Sequence, residues 1–512
     1  MKIKYNKIIF ILTLIIILTT ITTANAATIT INNPHTYDTT TNSLNTQIQT
    51  LINQAQNGDI IEFLGNYYEN LSLTITKTLT ITSKNSTEIK SNKTIFTINN
   101  AQNVKITGFT LKTDNKTAID IKKSQNTKIQ NNTINAKDST GIKVTQSTQT
   151  QISNNTITQS QYGINISNSN QTTIKHNNIS NNQENGIHIN SKSEANTIEN
   201  NTITKNGGSG IYLGSGVNTK IRYNTIKGNY DGIDIDGPTN GLIISQNTIM
   251  TNGHIGIAIS YNYKSSNTMK VEYNVIYGNS NMNAKHDQAS GEVTFGYNWY
   301  GGNTLNMCGL CPRISSQLIQ ARLIKTSNGE YKVVFFAGNN VASSLPSFDA
   351  YFILEEGSQV KATAINGIAL GPTGNIRQVK VGSVRINVPD ASDAELKGLS
   401  DYEASLNSGT GTGSGSGTGS GSGTGTSGAG STGLSTGSGS TGSSGSILTG
   451  SAGSGVSSGG SSGFSSEQQV MAIEEAVDTG NASGVGGILS LILLVGCVYY
   501  RDDIRDFMRE KD

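Results

Sequence analysis

Cysteine, proline, tryptophan and net charge are all scarce in this sequence. Its 512 residues include 3 cysteines, 6 prolines and 1 tryptophan, and 37 Lys+Arg against 35 Asp+Glu leave a formal charge of +2. Three cysteines cannot form a disulfide framework, and so small a net charge provides no basic field for nucleic acid. The 5 histidines are scattered without metal-ligand spacing, so we expect neither a metal site nor a cofactor.

Two of the cysteines, Cys308 and Cys311, form a CGLC motif. A zinc site would need two further ligands, and none stands nearby in the sequence. The spacing therefore favours a local disulfide or two free thiols over a metal site.

A repeat rich in Asn, Thr and Ile dominates the first half of the chain. Residues 129–145 read IQNNTINAKDSTGIKVT, and residues 152–167 read ISNNTITQSQYGINIS. Most steps between equivalent positions are 22 to 24 residues, which is typical of a solenoid. Three apolar columns recur: Ile106, Ile129, Ile152, Ile174, Ile198, Ile221, Ile244 and Val271; Leu111, Ile134, Ile157, Ile179, Ile203, Ile226, Ile249 and Ile276; and Ile119, Ile142, Ile164, Ile187, Ile211, Ile233 and Ile257.

The apolar runs within each repeat are short, β-branched and alternating, which predicts strands and not helices. Three strands per coil of this length predict an all-β fold, a right-handed parallel β-helix with isoleucine stacks inside. A column of asparagines supports this prediction, because asparagine suits a sharp corner and its amide can bond to the same amide one coil away. The predicted asparagine ladder is Asn132, Asn155, Asn177, Asn201, Asn224, Asn247, Asn274 and Asn298.

The chain divides into segments of different composition. Residues 1–26 have the lysines, apolar stretch and Ala-Asn-Ala end of a signal peptide. Residues 27–105 are predicted to hold the first coils and a capping helix, whose apolar stripe runs from Leu44 to Ala55. Residues 106–303 are the regular repeats. Residues 318–390 contain stretches typical of the strands of a small β-sandwich. An immunoglobulin-like topology is the candidate arrangement of these strands.

The last hundred residues predict surface display. Residues 408–466 are almost purely Ser, Gly and Thr, which is typical of a flexible tether. Residues 484–500 are uncharged and long enough for a single transmembrane helix. Arginines and a lysine follow in residues 501–512, so the positive-inside rule places that tail in the cytoplasm. We expect an exported protein held at the cell surface by this C-terminal span.

N-glycosylation sequons are numerous, which an exported rod would expose. They begin at Asn70, Asn85, Asn92, Asn115, Asn131, Asn154, Asn165, Asn170, Asn178 and Asn200.

The NNTI repeats, the GDIIEF strand that follows a helix, and the closing NWYGGN stretch (298–303) together resemble a known family. They are similar to the archaeal adhesin-like surface proteins of methanogens, with pectin-lyase-like and NosD-type repeats. The resemblance covers roughly residues 40–303. It implies an adhesin-like role and an immunoglobulin-like domain after the closing motif, although β-helices also serve as lyases, hydrolases and tailspikes.

The outward face of the third strand is the candidate ligand site. His188, Tyr212 and Asp234 fall on consecutive coils, and Asp236 lies two residues after Asp234 on the same face. The stretch NYDGIDIDG (229–237) resembles a polygalacturonase segment. The further Asp pair, the Gly-His-Gly segment and the Arg-x-Lys segment of those hydrolases have no counterpart here.

These observations lead to an expected function and two alternatives. We expect a surface protein that binds extracellular glycans or proteins on other cells or surfaces and performs no chemistry, with no nucleic-acid partner. The alternatives are a polysaccharide lyase or glycoside hydrolase of pectin-lyase-like fold, and a structural protein of the cell envelope.

Overall fold

A computed structural model describes residues 26–32, 34, 43–190, 192–260, 268–287, 293–304, 309–382 and 384–407. These residues belong to one compact unit, Met1–Gly415. The predicted signal peptide up to residue 25, the tether, the membrane span and the tail lie outside the described residues. Within the described ranges, no helix is both long and apolar enough to cross a membrane.

The first part of the chain is a rod built from short strands and one helix. Its helix is α1 (Leu44–Gln54). Its strands are β1 (Thr28–Ile31), β2 (Ile60–Phe63), β3 (Tyr67–Glu69), β4 (Leu73–Ile75), β5 (Thr80–Ser83), β6 (Glu88–Ser91), β7 (Phe96–Asn99), β8 (Lys105–Thr107), β9 (Thr110–Asp114), β10 (Ile119–Lys122), β11 (Lys128–Gln130), β12 (Thr133–Lys137), β13 (Ile142–Thr145), β14 (Gln151–Ser153), β15 (Thr156–Thr158), β16 (Ile164–Ser167), β17 (Thr173–Lys175), β18 (Asn178–Ser180), β19 (Ile187–Ile189), β20 (Thr197–Glu199), β21 (Thr202–Thr204), β22 (Ile211–Leu213), β23 (Lys220–Arg222), β24 (Thr225–Lys227), β25 (Ile233–Ile235), β26 (Leu242–Ser245), β27 (Thr248–Met250), β28 (Ile255–Ile259), β29 (Met269–Glu272), β30 (Val275–Tyr277) and β31 (Met282–His286).

From β2 onward, every third strand along the rod joins the same parallel sheet, so the chain winds as a solenoid with three faces. Sheet A has 11 strands in the order β1-β2-β5-β8-β11-β14-β17-β20-β23-β26-β29. Sheet B has 10, in the order β3-β6-β9-β12-β15-β18-β21-β24-β27-β30. Sheet C also has 10, from β4 through β7, β10, β13, β16, β19, β22, β25 and β28 to β31. The predicted parallel solenoid is confirmed.

The three apolar columns stack inside the rod in the predicted register. Along sheet C, for example, Ile164 pairs with Ile187, which pairs with Ile211 and then Ile233. These four side chains are completely buried. Because strand side chains alternate between faces, their neighbours in the sequence must point outward. This register determines which residues reach the outer face of sheet C.

Helix α1 packs at the N-terminal end of the rod. Ser43 begins it by accepting a hydrogen bond from the Thr46 backbone N–H, and Ile48 and Ile52 are buried against the core. The Gln49 side chain bonds to both the N–H and the carbonyl of Thr74 in β4. Backbone groups of the first strand of sheet C are thereby satisfied. A capping role for the helix stays a prediction.

The asparagines of the predicted ladder, the first asparagine ladder, lie buried at the corner between sheets A and B. Asn201 donates to the Ile174 carbonyl at 2.8 Å, to the Glu199 carbonyl at 3.0 Å and to Asn224 Oδ1 at 3.0 Å. Its own Oδ1 accepts from the backbone N–H of Asn177 at 3.0 Å. The left-handed backbone conformation at this corner belongs to the residue before each ladder asparagine and not to the asparagine itself. Those with positive φ are Asn131, Asn154, His176, Asn200, Tyr223, Gln246 and Tyr273.

The glycines that precede the strands of sheet C are needed because of crowding. At Gly163 a Cβ would lie 2.5 Å from the Gly186 carbonyl oxygen and 2.7 Å from Ile179 Cγ2. Such a contact is impossible without moving the next coil.

The C-terminal part consists of two smaller sheets and a helix. Its strands are β32 (Val293–Asn298), β33 (Ile314–Lys325), β34 (Glu330–Ala337), β35 (Asn340–Val341), β36 (Phe348–Leu354), β37 (Gln359–Ala364), β38 (Ile368–Thr373), β39 (Ile376–Val381) and β40 (Val384–Ile386), followed by α2 (Asp393–Asn407). Sheet D has the order β32-β33-β34-β35, with β38 also on β34, and sheet E has the order β37-β36-β39-β40.

Sheet D extends the rod and shares one hydrophobic core with sheet E. Its long strand β33 pairs in parallel with β32 and antiparallel with β34. These pairings do not support the predicted immunoglobulin-like topology, because the first strand of the domain extends a pairing that starts in the rod. Trp299 is buried and meets Phe335 edge to face at 5.0 Å, so its ring packs into the core of this domain.

Candidate functional site

The outward row of sheet C brings the predicted site residues together. His188 pairs with Tyr212, and Tyr212 pairs with Asp234, each on the next strand. Asp236 follows directly after β25, and its N–H bonds to the Leu213 carbonyl at 2.9 Å. All four side chains are half-buried, because the outward face of a solenoid sheet leaves each residue covered on two sides by its neighbours.

Two rings form the centre of this surface. The imidazole of His188 stacks on the ring of Tyr212, with centroids 4.5 Å apart and planes inclined by 11°. Tyr162 contacts the other side of the imidazole at 5.0 Å and 58°. The Tyr212 hydroxyl donates to Asp236 Oδ2 at 2.9 Å, which holds the phenol ring in place.

A chain of amides determines the protonation of His188. The backbone N–H of Ser209 donates to Asn185 Oδ1 at 2.8 Å, so the Asn185 nitrogen faces His188 Nδ1, also at 2.8 Å. An amide nitrogen only donates, and Nδ1 must therefore accept. Nε2 then carries the proton and donates to Asn190 Oδ1 at 3.0 Å. Burial lowers the pKa of His188, against the opposing effects of Asn190 and Glu184, so the ring is neutral near pH 7.

The carboxylates lie along one side of the rings. Burial, followed by the charges of Asp231, Asp236 and Asp287, raises the pKa of Asp234 from 3.8 to about 6. Burial and the hydrogen bond to Asp236 raise the pKa of Tyr212 to about 12. The phenol thus stays protonated, whereas Asp234 changes charge in the weakly acidic range.

Several side chains in the turn before each sheet C strand belong to the site and were missed from the sequence. The Tyr162 hydroxyl bonds to Glu184, which is the main cause that raises the pKa of Tyr162 to about 12 and lowers that of Glu184. Asp231 Oδ1 accepts from His254 Nδ1 at 3.0 Å and from the Ile255 backbone N–H at 2.8 Å. Tyr162, Asn185 and Asp231 all stand two residues before an isoleucine of the third column, and this spacing could have revealed them.

A second asparagine ladder supports those turns and was also missed. Its members are buried, and each amide nitrogen donates to the Oδ1 of the next member at 2.8 to 3.2 Å. They are Asn182, Asn206, Asn229, Asn252 and Asn279. This ladder lies at the corner that leads into sheet C. It therefore fixes the position of each outward residue along the axis of the rod.

The remaining predicted sites lie elsewhere. Cys308 is outside the described residues, and Cys311 is buried with its sulfur accepting from the His286 backbone N–H at 3.1 Å, so the disulfide stays a prediction. Among the described residues, no three His, Cys, Asp or Glu side chains are placed to hold a metal ion. The sequon residues Asn131, Asn154 and Asn200 lie exposed at one corner of the rod, and their glycosylation remains a prediction.

Solved structures with a similar fold include a tailspike and two carbohydrate-active enzymes. The Dettilon tailspike protein gp208 is 15% identical, covers 70% of this chain and 92% of its own, and has a TM-score of 0.45. The A-module of mannuronan C-5 epimerase AlgE6 from Azotobacter vinelandii is 14% identical, with 53% and 85% covered and a TM-score of 0.45. A polygalacturonase from Erwinia carotovora ssp. carotovora is 14% identical, with 57% and 94% covered and a TM-score of 0.40.

At these identities the likeness concerns the fold alone. It is nevertheless enough to correct the prediction that the protein performs no chemistry. Two of the three similar structures are enzymes, so membership of this fold gives no ground for excluding catalysis, and the missing polygalacturonase motifs exclude only that one site.

Sequence comparison leads to the same fold. No curated protein sequence matches the chain. The family model for a right-handed beta helix region matches residues 72–222 and 161–305, which include all of sheet C and most strands of sheets A and B. The rod is therefore a right-handed parallel β-helix.

Proposed function

We propose that the outward face of sheet C binds an extracellular glycan. The observation that carries this proposal is the stacked pair of His188 and Tyr212, with centroids 4.5 Å apart and both rings fixed at their edges by hydrogen bonds. Rings held in this way contact a ligand without further loss of conformational entropy. Polar groups surround the rings, as sugar recognition requires, because each ring of a saccharide presents both C–H and hydroxyl groups.

The charge of the surface favours one class of glycan. Over the coils from β19 to β31, acidic side chains outnumber the basic one on and beside the outward row: Glu184, Asp231, Asp234, Asp236 and Asp287 against Lys285. Lys285 is itself paired with Asp287 at 2.7 Å. A polyuronate would be repelled by this surface near neutral pH. We therefore infer that the ligand is a neutral or amino-sugar-containing glycan.

Display at the cell surface is part of the same proposal. The predicted signal peptide, the Ser/Gly/Thr tether and the predicted span at residues 484–500 would present the rod outside the cell on a flexible stalk. A tethered binding surface of this kind suits attachment to glycans on other cells or surfaces.

A glycan array tests binding directly. The ectodomain (residues 27–407) is applied at pH 7 and at pH 5 to neutral, amino-sugar and uronic-acid glycans. We expect retention on members of the first two classes. Retention confined to polyuronates, or no retention on any glycan, would contradict the proposal.

A second candidate function is hydrolysis of the bound glycan. The observation that favours it is Asp234, whose pKa of about 6 lets it hold a proton under weakly acidic conditions. Asp236 lies on the same face, and glycoside hydrolases use such a pair, with one carboxyl raised in pKa as the general acid. In this hypothesis Asp234 protonates the leaving oxygen, and Asp236 takes a proton from a water molecule that attacks the anomeric carbon.

Release of reducing ends separates the two functions. Each glycan retained by the ectodomain is incubated with wild-type protein and with the Asp234→Asn variant. Hydrolysis predicts that wild-type protein releases sugar fragments optimally below about pH 6 and that the variant releases none. If both proteins retain the glycan and neither releases fragments, the hydrolysis hypothesis is wrong and the binding proposal stands.

A further inference from the structure

A polar groove lies where the rod meets the C-terminal domain, away from sheet C. Its volume is about 390 Å³. On the rod side it is lined by Tyr223 and Gln246 of one corner, and on the other side by the loop 343–347 and Asn366. The described side chains that line it include hydroxyls, amides and one aromatic ring, and none of them is charged.

Tyr223 occupies an unusual position for a tyrosine. It belongs to the corner residues that precede the first asparagine ladder, and it has a left-handed backbone with φ of 58°. Such a conformation is unfavourable for a bulky side chain, and asparagine occupies the same position at Asn131, Asn154 and Asn200.

Packing explains the other tyrosines at this corner but does not explain Tyr223. Tyr273 and Tyr297 pack against the core of the C-terminal domain. Tyr223 lies nearer the N-terminal end of the rod and is 38% exposed. Burial therefore does not account for a large ring at this strained position.

The ring of Tyr223 is held in position on the rod. The Arg222 guanidinium carbon lies 5.8 Å from its centroid, and Arg222 Nε bonds to Glu199 Oε2 at 2.9 Å. One aromatic ring is thus fixed at the wall of a groove, with the Gln246 and Asn366 amides and the Ser343, Ser344 and Ser347 hydroxyls on its other walls.

We propose that this groove is a second saccharide-binding site, specific for an uncharged sugar. The ring of Tyr223 would contact the apolar face of a pyranose, and the serine and amide groups would bond to its hydroxyls. The volume lies at the lower end of the range for small-molecule sites, about 300–1,000 Å³, which suits one or two sugar rings. The described side chains of the lining include no cation, and the charge of Arg222 beside the ring is already paired with Glu199, so an anionic sugar gains no ion pair here. This site is independent of the sheet C surface.

The test uses the full chain carrying Tyr212→Ala, so that the sheet C surface contributes little to binding. Saturation-transfer NMR is recorded with cellohexaose, mannohexaose and chitohexaose as uncharged probes and with hexagalacturonate as the charged probe. We expect saturation transfer to at least one uncharged probe and none to hexagalacturonate. Adding Tyr223→Gln should then weaken binding at least tenfold. Gln246 has the same left-handed backbone one coil away, so this substitution should not disturb folding, and the thermal unfolding curve checks it.

Tyr67→Gln is the matched control, since Tyr67 is an exposed tyrosine on β3 at the far end of the rod. It should leave binding unchanged. Absence of saturation transfer to all three uncharged probes, or equal affinity with and without Tyr223→Gln, would overturn the proposal. Because the sheet C surface is already impaired in every sample, neither result depends on the proposed function.

Discussion

The side-chain amide of Asn185 donates to Nδ1 of His188 across 2.8 Å, and the amide is itself oriented by the Ser209 backbone N–H. This relationship makes His188 a neutral ring that donates from Nε2. A neutral, fixed imidazole can stack on Tyr212 and leave the charge of the site to the carboxylates.

The tautomer is the first prediction. Nitrogen-15 NMR at pH 7 should show His188 neutral with its proton on Nε2, and its pKa should lie below the ordinary value because of burial. His254 provides an internal control, because its Nδ1 faces the Asp231 carboxylate at 3.0 Å and should carry the proton. A charged His188 at pH 7, or the same tautomer in both histidines, would contradict the account.

The second prediction concerns Asp234 and pH. Its native pKa is raised from 3.8 to about 6, so the native state binds its proton more tightly than the unfolded chain does. This proton stabilises the fold below about pH 4, and the contribution is lost as the pH rises through 6. Asp234→Asn removes the free-energy cost of the charged, partly buried carboxylate at pH 7. Because Asp234 is partly solvated, we expect a gain of only about 1 kcal/mol in the free energy of unfolding at pH 7.

Urea denaturation of both proteins at pH 4 and pH 7 measures this difference. The variant should gain relative to wild type at pH 7 and gain little at pH 4. A difference that is equal at the two pH values would show that Asp234 is not perturbed.

The third prediction tests the register of sheet C. Ile211→Asp would bury an unpaired carboxylate between coils, which costs several kcal/mol, about 3 or more. Ser167→Asp places the same charge on the half-exposed outward face of β16 and should change stability by less than about 1 kcal/mol. Thermal unfolding of the two variants provides the comparison. Similar losses at both positions would mean that the side chains do not alternate as described.

Sequence reasoning predicted what repeats and missed what depends on neighbouring coils. The isoleucine columns follow from period and hydropathy alone, so Ile187 and Ile211 could be placed inside, and with them His188 and Tyr212 outside. The spacing of Asn185 and Asp231 places both in the turn before sheet C, but their roles depend on hydrogen-bond partners one coil away, Ser209 and Ile255, which the spacing does not show. The need for the glycines before the strands of sheet C also depends on the next coil, because that coil would crowd a Cβ. No local sequence pattern predicts the pairing of β33 with β32.

The fourth prediction concerns the first asparagine ladder. Asn201→Ala would remove an amide that bonds to two carbonyls and to both neighbouring asparagines. Several buried groups would lose their partners, at about 1–3 kcal/mol each. Asn178→Ala is the matched control, because Asn178 is an exposed asparagine that pairs with Thr202, the residue after Asn201, on the neighbouring coil. Chemical denaturation should show a large loss for Asn201→Ala and almost none for Asn178→Ala, whereas comparable losses would mean that the ladder contributes little.

The central claim is that the rings of His188 and Tyr212 form a glycan-binding surface. The most direct measurement is calorimetric titration of the ectodomain with the glycan that it retains best on the array, for wild type, Tyr212→Phe and Tyr212→Ala. We predict that Tyr212→Phe, which keeps the ring, binds within about fivefold of wild type, and that Tyr212→Ala loses at least tenfold in affinity, about 1.4 kcal/mol, with its unfolding temperature nearly unchanged. Affinity that is equal in wild type and Tyr212→Ala would contradict the claim.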